Sequence, residues 1–170
     1  MSALHPRPLP PDALLARYSE AGAYADCYGV EVEGTVSLAA YVAAFYTGRL
    51  FRLERLLLRL FLSKPSTDAQ ARQVAAGEVA EFAAWRVEGR RADQLLMCDV
   101  AGRTRSWFMV AQPSPGRTLL YFGSAVVPKI DRASGERRMG VLFNALLGFH
   151  KLYSRALLGS ARSRLQHRAN

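Results

Sequence analysis

The stretch FNALLGFHKLYSRALL, Phe143 to Leu158, holds His150, the one histidine of three that stands away from the chain's ends. Its imidazole changes charge near neutral pH, so it suits the work of a general base or a hydrogen-bond partner in a pocket. The stretch has helical grammar. At about 100° per residue, Leu142, Leu146, Phe149, Tyr153 and Ala156 share one face, and Asn144, Lys151, Arg155 and Arg162 share the opposite one. His150 falls at the margin between them, with Phe143 and Ser154. From there it reaches either the mouth of a cavity or the solvent. A base also needs a group to orient it, and none is identifiable from the sequence, so the surface reading leads. His5 and His167 lie near the ends and are weaker candidates.

Other chemistries leave little trace. Asp99, in CDVAGRT, and Asp93 stand beside turns, where a lone carboxylate most often makes local hydrogen bonds. No carboxylates are paired in the manner of a glycosidase. GxSxG, GxGxxG after a strand and GxxxxGK[ST] are all missing. His, Cys and carboxylate clusters with zinc-ligand spacing are missing too, so neither a metal nor a cofactor is expected. Cys27 and Cys98 are far apart and read as small, partly buried thiols. The balance is against an enzyme, although scattered polar groups can serve a pocket catalyst without forming a local motif.

Aromatic residues are the other candidates. Trp85, Trp107, Tyr121, Phe149 and Tyr153 are placed to line an apolar pocket beside His150, or simply to fill the core. On the strand from Arg103, Trp107 and Met109 share a face with Arg103 and Arg105, and Ser106, Phe108 and Val110 share the other. Both faces hold large apolar groups, so the inward one is left open.

These residues need a frame. With 170 residues, half of them hydrophobic and 22% charged, the chain suits one globular domain. HPRPLPP predicts an irregular arm over residues 1–11, the domain runs from 12 to 166, and 167–170 form a frayed tail. Asp12 is the expected N-cap of a first helix. A strand is predicted over Ala23 to Glu33. Ser37 then caps a helix, LAAYVAAFY, followed by a second, RLFRLERLLLRLFL, with Leu50, Leu53, Leu57 and Leu60 on one stripe. DAQARQVAAGE predicts a short helix. From Phe82 the period becomes two, and EFAAWRVEG, DQLLMCDVAG, RTRSWFMVAQP and RTLLYFGSAVVPK predict successive strands joined by turns short enough for an antiparallel meander. DRASGERR is a polar loop. A long helix closes the chain from about Met139 to Gln166.

The net charge of +9 attracts anions, but the arginines are spread along the chain with no basic stripe, so nucleic-acid binding is not expected. Arg49, Arg52, Arg55 and Arg59 edge the leucine-rich helix, which suits a core helix with snorkelling arginines better than peripheral contact with a membrane. The breadth of its leucines leaves room for a homodimer beside a monomer. No basic n-region precedes an apolar run, and no stretch of about twenty residues is free of charge, so a cytoplasmic protein is the expectation.

Strand, helix pair, meander and long final helix together resemble the START-like or helix-grip (SRPBCC) superfamily, the group of polyketide cyclases and lipid-transfer domains. ADQLLMCDVAGRTRSWFMV, LYFGSAVVP and LLGFHKLYSRALL are similar to stretches in uncharacterised bacterial proteins of this kind. The resemblance implies an α+β helix-grip fold with a curved antiparallel sheet of about five strands. It also implies a cavity between the sheet and the final helix that takes a small hydrophobic or amphipathic molecule. A cyclase- or hydrolase-like enzyme of the same fold, and a solid interaction module without a ligand, are the alternatives.

Overall fold

A strand that buries only one face alternates apolar and polar residues, but the central strands here are apolar on both faces. Gln94–Asp99 (β5) is buried from Gln94 to Cys98, and Trp107, Phe108 and Met109 are buried side by side in Thr104–Ser114 (β6). A sheet of this kind has to be covered on both sides. The computed structural model, which describes residues 4–53, 55, 65–130, 137–138 and 154–166, shows both covers.

The fold is α+β. Among the described residues, seven antiparallel strands form one open sheet in the order β1-β2-β7-β6-β5-β4-β3. The long members are Tyr24–Glu33 (β2), Trp85–Arg90 (β4), β5, β6 and Arg117–Val126 (β7). The difference from the expected five is made by two dipeptide strands at the edges, His5–Pro6 (β1) and Glu81–Phe82 (β3). A two-residue strand leaves no visible alternation. EFAAWRVEG, expected as one strand, is instead a tight hairpin that pairs Phe82 with Trp85. Ala83, at φ 53°, makes its turn, in the region where glycine is usual. Lys129–Ile130 (β8) pairs with Arg137–Arg138 (β9), so the end of the expected polar loop DRASGERR is a strand.

Helices cover one face. Ser37 caps Leu38–Tyr46 (α2) by accepting from the Ala40 N–H, and Thr67 with Gln70 forms a capping box on Asp68–Ala76 (α3). Residues 49–53 are helical and bury Phe51, but Leu53 is 54% exposed, so the expected leucine stripe does not continue through it. Leu57 and Leu60 lie outside the described residues. Arg55 joins this segment to α3, donating to Asp68 Oδ1 at 2.6 Å and to the Ser66 carbonyl at 2.6 Å. Residues 154–166 (α4) are helical and bury Ser154, Leu157, Leu158 and Ala161. Ala156, expected on the buried face, is exposed. The two leucines remove more apolar surface from water than one alanine, and they set the helix's rotation. No helix among the described residues is long and apolar enough to cross a membrane.

The N-terminal segment covers the other face. Leu9, Ala13, Leu14, Leu15 and Tyr18 pack with Cys27, Leu96, Trp107 and Ala125 in a second core. The first helix spans only Ala16–Glu20 (α1), and Leu15 stands at its N-cap without a side-chain cap. Asp12 does not cap it. The Asp12 carbonyl instead accepts from Arg91 at 2.8 Å and from Gln94 Nε2 at 3.3 Å, and Ala13 N–H turns back to the Pro10 carbonyl.

Two polar groups hold this cover down. Gln94 is fully buried, and its Oε1 accepts from the Leu14 N–H and from Trp107 Nε1, both at 2.9 Å. Glu88 bulges out of β4 where the register shifts. It accepts from the Tyr18 hydroxyl and from Arg17, and it pairs with Arg105 at 2.8 Å. Burial alone would raise the Glu88 carboxyl, but the Tyr18 hydroxyl and the two guanidinium groups hold it below its ordinary value.

Replacing Gln94 by leucine strands the Leu14 and Trp107 donors in an apolar core and should cost about 2–3 kcal/mol, read as a lower urea midpoint. Glu88→Gln should cost about 1–3 kcal/mol at neutral pH. Because the folded carboxyl sits below its unfolded value of 4.5, its contribution is present above that pH and lost as the pH falls through the folded value. The stability gap between Glu88→Gln and the parent should therefore close on acidification below 4.5, and a gap constant with pH would refute this account.

Candidate functional site

On the helix-covered face, the core holds a cluster of packed aromatic rings. Phe45 of α2 lies 4.8 Å from Phe108 and 4.9 Å from Phe122, centroid to centroid, and Tyr46 lies 5.0 Å from Phe82. These rings close over β6 and β7 and, with Ser154 and Leu157 of α4, leave a cavity of 170 Å³. Its apolar wall is Phe45, Tyr46, Phe51, Trp85, Phe122 and Leu157. Thr104, Ser106 and Ser154 bring hydroxyls to it, and Arg105 contributes to the rim.

Of the residues singled out in the sequence, the three that are described do not converge. Trp85 lines this cavity, half-buried, with its ring 5.6 Å from Phe51. Trp107 and Tyr121 point to the opposite face, under the N-terminal segment, with rings 6.1 Å apart. Trp107 is fully buried and its indole N–H is taken by Gln94, so its role there is packing and anchorage. Phe149, His150 and Tyr153 lie outside the described residues. Phe51, Ser106 and Ser154 were missed. Phe51 sits in a run read for its leucines, and a lone serine on a strand or helix carries no local motif.

A second hollow, of 740 Å³, lies at the outer edge of β2. Tyr24, Asp26 and Tyr28 of β2, Arg7 of the N-terminal segment and Arg155 of α4 line it. Asp26 is held by two hydroxyls: Ser124 donates to Oδ1 at 2.6 Å and Tyr24 to Oδ2 at 3.3 Å. Burial, then the Asp26 charge, raises the Tyr24 phenol, so it stays protonated and donating at neutral pH.

The thiols are not poised to react. Burial, then Asp26, pushes Cys27 up to about 12, and burial raises Cys98 as well. Nucleophilic attack needs the thiolate, and neither site supplies it. Asp99 accepts from the N–H groups of Arg103 and Thr104 at 2.7 and 3.1 Å, the local turn role its position predicted. Among the described residues, no three His, Cys, Asp or Glu side chains gather as a metal site.

No protein-family model matches this sequence, and no curated protein matches it. A solved structure, of a conserved protein of unknown function from Enterococcus faecalis, is similar at 12% identity and a TM-score of 0.38, over 89% of this chain and 81% of that one.

Proposed function

We propose that this chain is a START-like small-molecule-binding protein that holds the apolar part of its ligand between the sheet and the C-terminal helix. The observation that carries this reading is the 170 Å³ cavity, walled by aromatic rings and dotted with hydroxyls. A dry apolar cavity of about 150 Å³ accommodates a benzene ring. The volume therefore suits one ring or a short branched chain, with Thr104, Ser106 and Ser154 in place to orient a polar substituent. Binding is favoured over catalysis because no carboxylate, thiol or imidazole among the described residues lines this space. Hydroxyls select and orient a ligand, and none of them is an evident base.

Trp85 reports on the cavity, and Trp107, the chain's other tryptophan, faces the far side of the sheet. A saturating shift in fluorescence on titration with toluene, present in the parent and absent in Trp85→Phe, is expected. Ser106→Ile fills the cavity from the sheet and should weaken toluene binding about tenfold or more while thermal stability stays within a few degrees. Native mass spectrometry followed by organic extraction should find an apolar molecule carried through purification. An empty protein that also fails to bind toluene would refute the reading.

A further inference from the structure

Six polar or charged residues are buried among the described ones, and five of them spend their side chains within the fold. Thr47 donates to the Ala43 carbonyl at 2.7 Å, Thr118 to the Gly34 carbonyl at 2.7 Å and Ser124 to Asp26 Oδ1 at 2.6 Å. Gln94 is held by Leu14 and Trp107, and Arg105 by Glu88 and Tyr18. The sixth is Ser154. It is 2% exposed and lines the aromatic cavity, and its hydroxyl makes no hydrogen bond among the described residues. A hydroxyl taken from water without a partner costs free energy, and folded chains leave few of them.

The sheet brings two more. Thr104 and Ser106 stand two residues apart on β6, so they share a face, and both line the same cavity. Their hydroxyls too are unpaired among the described residues. Hydroxyls therefore enter one small space from α4 and from the sheet, against the rings of Phe45, Phe51, Trp85 and Phe122. No charge is left to face them among the described residues. The cavity lining has no carboxylate or lysine, and the Arg105 guanidinium is engaged by Glu88 and Tyr18.

This chemistry narrows the ligand. A carboxylate or an ammonium would be buried here without a countercharge, at a large cost. A serine or threonine hydroxyl both donates and accepts, and so does a hydroxyl on a ligand, which can accept from one wall while donating to the other. The rings around it favour an aromatic body, and 170 Å³ has room for one ring with a small substituent. We infer that the cavity takes a small neutral phenol, with its ring among the aromatic side chains and its hydroxyl between Ser154 and the Thr104 and Ser106 pair. This inference rests on the cavity being a ligand site, as proposed above.

The test is calorimetric titration of the full chain with phenol, toluene and benzoate. Phenol and toluene are nearly equal in volume, so the ratio of their affinities isolates the hydroxyl. The parent should bind phenol at least as tightly as toluene, and benzoate more weakly than phenol. In a Ser106→Ala, Ser154→Ala double variant, phenol should weaken about tenfold or more relative to toluene, and toluene should still bind. Ser154→Ala alone should melt no lower than the parent, because it removes a hydroxyl that the fold does not use. A lower melting temperature would show that hydroxyl to be spent within the fold and would overturn the inference. So would a parent that favours toluene, a phenol-to-toluene ratio unchanged in the double variant, or benzoate binding as tightly as phenol. Each of these outcomes leaves the cavity reading in place as long as toluene binds. Failure of all three probes to bind would refute the cavity reading and this inference together.

Discussion

A central sheet that is apolar on both faces dictates how the rest of this chain is used. Trp107 and Phe108 are adjacent in sequence, point in opposite directions and are both fully buried. Neither face can be left to water without exposing large side chains. The helices account for one side. The other falls to a segment with little regular structure of its own, residues 9 to 18, which can lie flat only if its backbone groups find partners. Gln94 supplies them from within the sheet, with one amide satisfying Leu14, Trp107 and Asp12 together. Glu88 and Arg105 secure the following turn through Tyr18. The charged cluster around Glu88, whose carboxyl is held below its ordinary value, is therefore a clamp on a cover, which is why perturbation alone does not mark it as a working site.

That division explains where the sequence was legible. Ser37 before LAAYVAAFY is a helix start with a chemical cause, and its hydroxyl makes the bond its position foretold; the structure shows Thr67 in the same part before DAQARQVAA. The four later strands follow from period two and turn residues. Asp12 failed as a cap because a tertiary partner, Gln94, claims its carbonyl, and nothing near Asp12 announces a residue 82 positions away. The hairpin at Ala83 failed because its turn uses alanine where glycine would be the signal. The face of Trp107 was undecidable for the reason already given: alternation identifies an inner face only when the outer one is polar.

The candidate site was less legible than the fold, and for a related reason. A pocket in this architecture is defined by where packing ends. Phe45 and Tyr46 of α2 lie against Phe108 and Phe82 and leave room only beyond them, toward α4. Which residues border the gap depends on helix rotation, and Leu157 and Leu158 turned α4 away from the wheel that its apolar residues had suggested, bringing Ser154 inward. Trp85 belongs to the site because a tight hairpin returns it to the helix-covered face, beside Phe51.

The same geometry bears on how a ligand would be selected. Aromatic walls reward apolar area but discriminate weakly between similar shapes, because a methylene more or less changes affinity only modestly. Charge and hydrogen bonding discriminate more strongly when they act at a fixed distance from the apolar anchor. The register across β6, β7 and β2 is rigid, since each strand is held by its neighbours along most of its length. Polar groups built on it keep a constant separation, where a loop would let them drift. A ligand of the kind proposed would therefore be selected by groups fixed to the sheet, Thr104 and Ser106, more than by the helices that cover it.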